Sequence, residues 1–595
     1  MRLFIAFVAV ALLTGCATPS NSTTSATQQR QQNNADSRFT QLADNIWQQQ
    51  VLLNPVSASA RDHREFDGQL QDMSPAAVKA RYEKQKGWLE QLQAVDVSQL
   101  NEQNQINHAM LVYGIKNDVD EYRFNAHYMP LTAEGSFHSS LAFLPSYHPF
   151  RDKADYQSYL DRLAAIPTYM EQQTDWLRKA MSEGYTQPAA AMAGFEESIY
   201  AYIVQQPEDS VYYRPFQKKP EFIGADEWAN LQQQAANVID DAVMPAYQNY
   251  FEFMVTRYLP NARDSVGASE LPNGEAFYNN RIKHYTTTDM TAAQIHELGL
   301  TEVKRIRAEM DAVIAKTGFD GSFSEFTDFL RNDPQFYPKS ADELLRYASF
   351  IAKKMDGKLP GLFKTLPRKP YGVAPVPAEI APKYTTGRYS GSSRDDQAGF
   401  YWVNTYALDR RPLYQMEALT LHEAVPGHHL QIALANEMDD LPEYRRSTYI
   451  SAFGEGWGLY AEYLGIEAGF YQDPYSEFGR LSYEMWRAAR LVVDTGMHAM
   501  GWSRQQAIDF MASNTALSLH NVTTEIDRYI TWPAQALSYK LGELTIKRLR
   551  QEAETALGAD FDLREFHDAV LKNGSVPLDV LEQQIRQWIK AQTAV

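Results

Sequence analysis

Apolar residues recur at three- and four-residue spacing among Gln, Glu and Lys from about Arg38 to Gln105, and again from Asp152 to Leu259. That period suits an amphipathic α-helix, which buries one stripe and wets the other, and it does not suit a strand, whose faces alternate every second residue. Between Ala225 and Tyr258 the stripe holds Trp228, Leu231, Ala235, Val238, Ala242, Met244 and Tyr247, and Pro245 predicts a kink because it removes a backbone donor. The helical period returns between Thr291 and Thr317 and between Ser340 and Leu359, so the chain is expected to be mainly α. The exception is Leu366 to Tyr406, where prolines and glycines break the period. Proline in Tyr371–Pro377 predicts short edge strands, and the aromatic and β-branched run Phe400–Val403 predicts a better strand. A small sheet should therefore precede whatever follows Tyr406. No fixed-period repeat, heptad run or glycine-rich phosphate loop occurs, which weighs against solenoids, coiled coils and nucleotide enzymes.

The 595 residues carry a formal charge of −18, spread out, with no Lys/Arg run to follow a phosphate backbone. Nucleic acid is thus not expected as a partner. At the other extreme of polarity, Met1-Arg2 is followed by the apolar run Leu3–Leu13 and then Thr14-Gly15-Cys16, the layout of a secretory signal too short to span a bilayer comfortably. Leu13-Thr14-Gly15-Cys16 also resembles the bacterial lipobox, which implies cleavage before Cys16 and acylation of that cysteine. Cys16 is the single cysteine of the chain, which excludes intrachain disulfides and cysteine metal ligands. Ala17 to Ser37 is rich in Thr, Ser, Gln and Asn and reads as a flexible tether. By analogy with lipoprotein sorting, Ala17 in place of an aspartate suggests the outer membrane, with the body facing the periplasm. The expected organisation is a signal peptide over 1–15, a lipidated cysteine and tether over 16–37, a helical N-terminal lobe over 38–290 and a catalytic lobe over 291–595.

The run that carries chemistry is Leu419-Thr-Leu-His422-Glu423-Ala-Val-Pro426-Gly427-His428-His429-Leu-Gln. Neutral imidazoles are good zinc ligands, and a glutamate beside the first can act as general base on a water at the metal. In a straight helix the second histidine would come four residues on. Here it comes six or seven on, and seven residues span roughly 10.5 Å along the axis, too far for easy convergence on one ion. Pro426 and Gly427 allow a bulge that brings a later histidine back.

This run resembles the HEAxPGHH motif of the bacterial family known as domain of unknown function 885, which is similar to the glutamate-zincin peptidases. With Val425-Pro426 as a two-residue insertion in an HExxH helix, the resemblance assigns His422 and His428 as metal ligands and Glu423 as base, with His429 the alternative second ligand. Gly454-Glu455-Gly456-Trp457-Gly458 matches the family's EGW segment and offers Glu455 as third ligand, with Glu462 two turns on as the alternative. The alternating glycines each weaken a helix by about 1 kcal/mol, which predicts a very close approach to another helix or to the metal. In Trp486-Arg487-Ala-Ala-Arg490-Leu-Val-Val-Asp494-Thr-Gly-Met-His498 the residues 487, 490, 494 and 498 share one helical face. Asp494 is a candidate partner for the free N–H of a metal-bound histidine, and His498 a candidate for hydrogen bonding to substrate or transition state; an ordinary ion pair and a core histidine are the plain alternatives. The last family segment runs from Glu525 to Gly542, with Ala534 where the pattern has glycine. It offers Tyr539 as oxyanion donor and Arg528 or Lys540 for a peptide carboxylate.

The reading is a mainly α, two-lobed zinc peptidase with a deep cleft and a small sheet before the metal helix, similar in plan to thermostable carboxypeptidases, thimet oligopeptidase and angiotensin-converting enzyme. It is expected to cut small peptides near their C-terminal ends, with the strand Phe400–Asn404 pairing to substrate backbone. A non-enzymatic metal- or peptide-binding lipoprotein and an amidase acting on cell-wall peptides are the competing readings. Glu423 argues against the first, since a structural zinc needs no base.

Overall fold

A computed structural model describes residues 22–378, 380–392 and 397–593. Cys16 and the signal segment lie outside them. The architecture is mainly helical with one three-stranded sheet. No helix among the described residues is long and apolar enough to cross a membrane.

Residues 22–37, expected as tether, form the first half of the helix Ser22–Val51. Its second half packs Phe39, Ala43 and Ile46 against Trp88, Leu92 and Ile115, and helix propagates easily from such an anchored segment through Gln and Ala. The helical stretch 225–258 is continuous. It widens into a π-turn at Ile239–Val243, just ahead of Pro245, which shifts the hydrogen-bond ladder where the proline cannot donate. The buried residues of one apolar core all come from 131–258, with Val56, Leu70 and Leu259 packed against it. Position 290/291 is no core boundary: Tyr278 and Ile282 pack with Ala292, Ile295, Leu491 and Leu541.

The site rests on a subset of elements: α1 (Ala292–Thr317), β1 (Tyr371–Pro375), β2 (Gly387–Ser390), β3 (Gly399–Val403), α2 (Met416–Glu423), α3 (His428–Asn436), α4 (Ser451–Glu467), α5 (Pro474–Ala499), α6 (Leu519–Thr531) and α7 (Ser538–Leu557). Helix α5 is buried along nearly its whole length and packs against α1, where Gly299 leaves room for Leu491 and Val492. Helices α4 and α7 cross in contact at their backbones. A Cβ on Gly456 would stand 2.5 Å from the Cα of Gly542, and one on Gly542 would stand 1.9 Å from the carbonyl oxygen of Ala452.

The sheet order is β1-β3-β2, with β1 parallel and β2 antiparallel to β3. This corrects the expectation that Phe400–Asn404 receives a peptide, because β3 has both edges filled. The open edge on the cavity side belongs to β2. Asn404 is fully buried and its Nδ2 donates to the carbonyls of Ala381, Tyr384 and Thr385 at 2.9 to 3.0 Å. It shapes the turn into β2 and has no face for substrate.

Candidate metal centre

Helix α2 stops at Glu423 and α3 starts at His428, as the proline and glycine between them require. The Val425–Pro426 peptide bond is cis. At Gly427 the chain turns back so tightly that a Cβ would lie 1.9 Å from the carbonyl oxygen of His422, so only glycine fits. The indole Nε1 of the buried Trp457 donates to the carbonyl of Pro426 at 2.8 Å, tying this link to α4.

The result is a cluster of three donor atoms. One ligand atom each from His422, His428 and Glu455 lies within 4.8 Å of the others. Glu455 Oε2 stands 3.6 Å from His422 Nε2 and 3.4 Å from His428 Nε2. The rings of His422 and His428 meet at 89° with centres 4.7 Å apart, both turning an Nε2 to the same point. Although burial opposes charge on Glu455, the two imidazoles hold it well below the usual carboxylate range.

Each glycine of the 454–458 run has its own reason. Gly454 makes room for the Tyr449 ring, Gly456 for Gly542, and Gly458 for His422, whose Cε1 a Cβ would meet at 2.6 Å. The His422 ring thus sits flat on α4 between two carboxylates of that helix, Glu455 on its Nε2 side and Glu462 on Nδ1 at 2.8 Å. Against the cost of burial, these hydrogen bonds push the His422 imidazole up to about 9 in the absence of a cation. Arg487 Nη2 holds the same Glu462 Oε1 at 3.2 Å.

The donor set suits a divalent cation of the zinc type, two nitrogens and one oxygen. Glu462 is placed to accept Nδ1–H of His422, which would leave the Nε2 lone pair free for such a cation. The carboxamide of Gln431 lies 2.9 Å from His428 Nδ1, and its Oε1 is buried without a partner. As placed, Gln431 Nε2 also donates to the Gly454 carbonyl at 3.3 Å; turned by 180°, the carboxamide would give up that bond and let Oε1 accept Nδ1–H of His428.

Around the three donors lies a cavity of about 260 Å³ lined by Glu423, Arg487, Arg490, Arg528 and Tyr539, and by Gly387, Arg388 and Tyr389 of β2. Glu423 Oε2 accepts the backbone N–H of Tyr389 at 2.8 Å, which fixes the carboxylate against the sheet edge and leaves Oε1 for other partners. The Tyr449 hydroxyl donates to Glu455 Oε1 at 3.1 Å.

Several expected site residues are placed elsewhere. His429 points into the sheet, its Nδ1 against the Tyr389 hydroxyl at 2.9 Å and its ring on Tyr371, and burial lowers it to about 4. Glu462 is not a ligand candidate but the partner of His422 Nδ1, the role expected of Asp494. Asp494 instead accepts from the Tyr278 hydroxyl at 2.6 Å and from Ala534 N–H at 3.2 Å. His498 accepts from Ala268 N–H and faces the Tyr529 carbonyl, each at 2.9 Å, away from the metal donors. Lys540 is fully buried against Glu302, Glu484 and Glu543 at 2.8 to 3.2 Å and cannot reach a substrate. Arg528 stays at the cavity, with Nη2 on Gln535 Oε1 at 2.5 Å and Nε 3.4 Å from Glu134. Tyr449, Tyr389 and Gln431 were missed by sequence reasoning. Gln431 alone left a sequence signal, lying one helical turn after His428.

Two solved structures share this fold. A candidate lipoprotein from Colwellia psychrerythraea superposes with a TM-score of 0.83 at 28% identity, covering 95% of this chain and 100% of that one. A candidate lipoprotein of unknown function from Shewanella oneidensis gives 0.71 at 17% identity, over 92% and 99% of the two chains, and speaks for the fold alone. No curated protein matches the sequence. The profile of the bacterial proteins of unknown function DUF885 matches residues 55–585, nearly the whole folded chain, and the protein belongs to that family.

Proposed function

We propose that this protein is a zinc-dependent peptidase with a two-lobed, zincin-like plan, hydrolysing small peptides near their C-terminal ends. The observation that carries the reading is the convergence of His422 Nε2, His428 Nε2 and Glu455 Oε2 beside Glu423 in one small cavity. A zinc ion held by these three residues would supply Lewis-acid polarisation of a carbonyl and acidification of a water. Glu423, held by Tyr389 N–H through Oε2, takes a proton from the attacking water on Oε1 and returns it to the leaving amine. The open edge of β2 offers backbone groups to an extended peptide. Tyr539 lines the same cavity and supplies the phenol O–H for the developing oxyanion.

The same reading places the protein on the periplasmic side of the outer membrane through lipid on Cys16. It rests on the sequence Leu13–Cys16 and on the likeness to the Colwellia psychrerythraea candidate lipoprotein.

The decisive experiment pairs zinc content with digestion of a mixed peptide library, read by mass spectrometry. Parent protein should bind one zinc and cut, and Glu423→Gln should bind zinc and not cut. A zinc-loaded parent that cuts no peptide in the library would sink the peptidase reading.

A further inference from the structure

Three buried guanidinium groups line the cavity that holds the candidate metal donors. Arg487, Arg490 and Arg528 each line it, and each is more than nine-tenths buried, at 5%, 3% and 8% exposure. Their acceptors are few. Arg487 spends Nη2 on Glu462, the carboxylate already engaged by His422, and Nη1 on the Tyr483 carbonyl at 3.3 Å. Arg528 has Gln535, Glu134 at 3.4 Å and Glu525 at 3.6 Å. Arg490 has the Tyr529 hydroxyl on Nε at 2.6 Å and the same Glu525 on Nη2 at 3.0 Å. Arg490 Nη1 is buried and has no partner among the described residues.

An unsatisfied donor on a buried cation is costly, and such a group stays in place where a ligand completes it. The guanidinium of Arg490 is also fixed in plane. Its Cζ lies 4.4 Å from the Trp486 ring centre and 4.2 Å from that of Tyr539. A flat fork held between two rings is pre-organised for a carboxylate, which can take hydrogen bonds from more than one nitrogen at once. Glu525 is shared by two arginines, and a divalent cation at His422, His428 and Glu455 would add positive charge to the same small space.

We infer that Arg490, backed by Arg528 and flanked by Tyr539, is the specificity-determining group for a substrate carboxylate, and that this carboxylate is the free C-terminus of the peptide. The inference rests on the peptidase reading above and sharpens it: the protein is an exopeptidase that requires an unblocked C-terminal end. Tyr539 bridges the two tasks, one face against Arg490 and its edge in the metal cavity. An acidic side chain offers the same chemistry, so the two sources must be told apart by experiment.

The test uses zinc-loaded Glu423→Gln protein and calorimetric binding of three peptides: a free acid ending in a neutral residue, its C-terminal amide, and the same amide with Glu as its last residue. The free acid should bind about 10²-fold more tightly than its amide, the discrimination expected of hydrogen bonds to a charged group. Arg490→Lys, which keeps the charge and loses the fork, should bring acid and amide within a few-fold of each other while zinc content is unchanged. Equal binding of acid and amide by the zinc-loaded Glu423→Gln protein overturns the inference without Arg490→Lys having to fold. Tight binding of the Glu-ending amide alone overturns the choice of the C-terminus. A parent that cuts acid and amide equally keeps the peptidase and loses the exopeptidase, whereas one that discriminates but never cuts keeps the carboxylate site and loses the peptidase.

Discussion

The Trp457 indole hydrogen-bonds the carbonyl of Pro426, so the residue next but one to a candidate ligand on α4 holds the bend that delivers another on α3. Three residues in a row divide the work: Glu455 faces the imidazoles, Gly456 touches α7, and Trp457 pins the bend. Trp457→Phe keeps most of the packing and removes the donor. It should lower thermal stability by about 1 kcal/mol and weaken zinc binding by about tenfold or more, read by competition with a chelator.

The ligand set makes a sharper expectation. His422→Ala, His428→Ala and Glu455→Ala should each lose zinc in elemental analysis, and His429→Ala should keep it. Zinc loss in His429→Ala with retention in His428→Ala would reverse the assignment, because His429 is turned toward Tyr389.

Glu462 and Asp494 separate the second layer of the site. Glu462→Gln cannot hold the His422 Nδ1 proton as strongly and should cost about 10–100-fold in zinc affinity. Asp494→Asn sits in a different contact set, with Tyr278 and Ala534, and should leave zinc affinity unchanged while lowering stability. Equal losses in both would mean a general loosening of the packing between α4 and α5.

Removing one hydroxyl tests the oxyanion role. Tyr539→Phe should reduce kcat by about 10²–10³, roughly 3–4 kcal/mol, with little change in KM or zinc content. A parental kcat would leave Tyr539 only its packing against Arg490, and would move attention to Tyr449, whose hydroxyl already touches Glu455.

His498 is one of several histidines lowered by burial, with His138, His148, His284 and His567, that make the fold acid-sensitive. Burial holds its imidazole at about 4, below the ordinary 6.5, and the Ala268 N–H occupies the nitrogen a second proton would need. The unfolded chain binds that proton first as pH falls, so the contribution is complete above about 6.5 and is lost between there and about 4. It amounts to about 3 kcal/mol at most. Urea unfolding at a series of pH values should show a shallower acid loss for His498→Gln than for the parent; parallel curves would exclude His498 as a cause.

Much of this centre was legible in the chain because its residues are bound to local rules. Pro426 and Gly427 forbid a straight helix, and the glycines at 454, 456 and 458 make sense only where something presses on α4. What was not legible was distance along a helix. Arg487 and His498 share a face of α5, but eleven residues separate them by roughly 16 Å, so the first lines the cavity and the second packs beyond it. Tyr539 and Lys540 show the converse. As neighbours they point about 100° apart, one to the cavity and one into a nest of glutamates. The sheet hid its order for a related reason: period and composition located Phe400–Val403 as a strand but could not say that it lies between the other two.

The backbone contact of Gly456 with Gly542 fixes a dimension of the molecule. Elsewhere a helix pair can drift by the give of its interdigitated side chains, and here there are none to give. Glu455 stands one residue before this contact and Tyr539 three residues before it, so the span from the floor of the cavity to its roof is set like a gauge block. Alanine at either glycine would widen that span from within, and Glu455 would lose its spacing from the two imidazoles before the protein lost its shape.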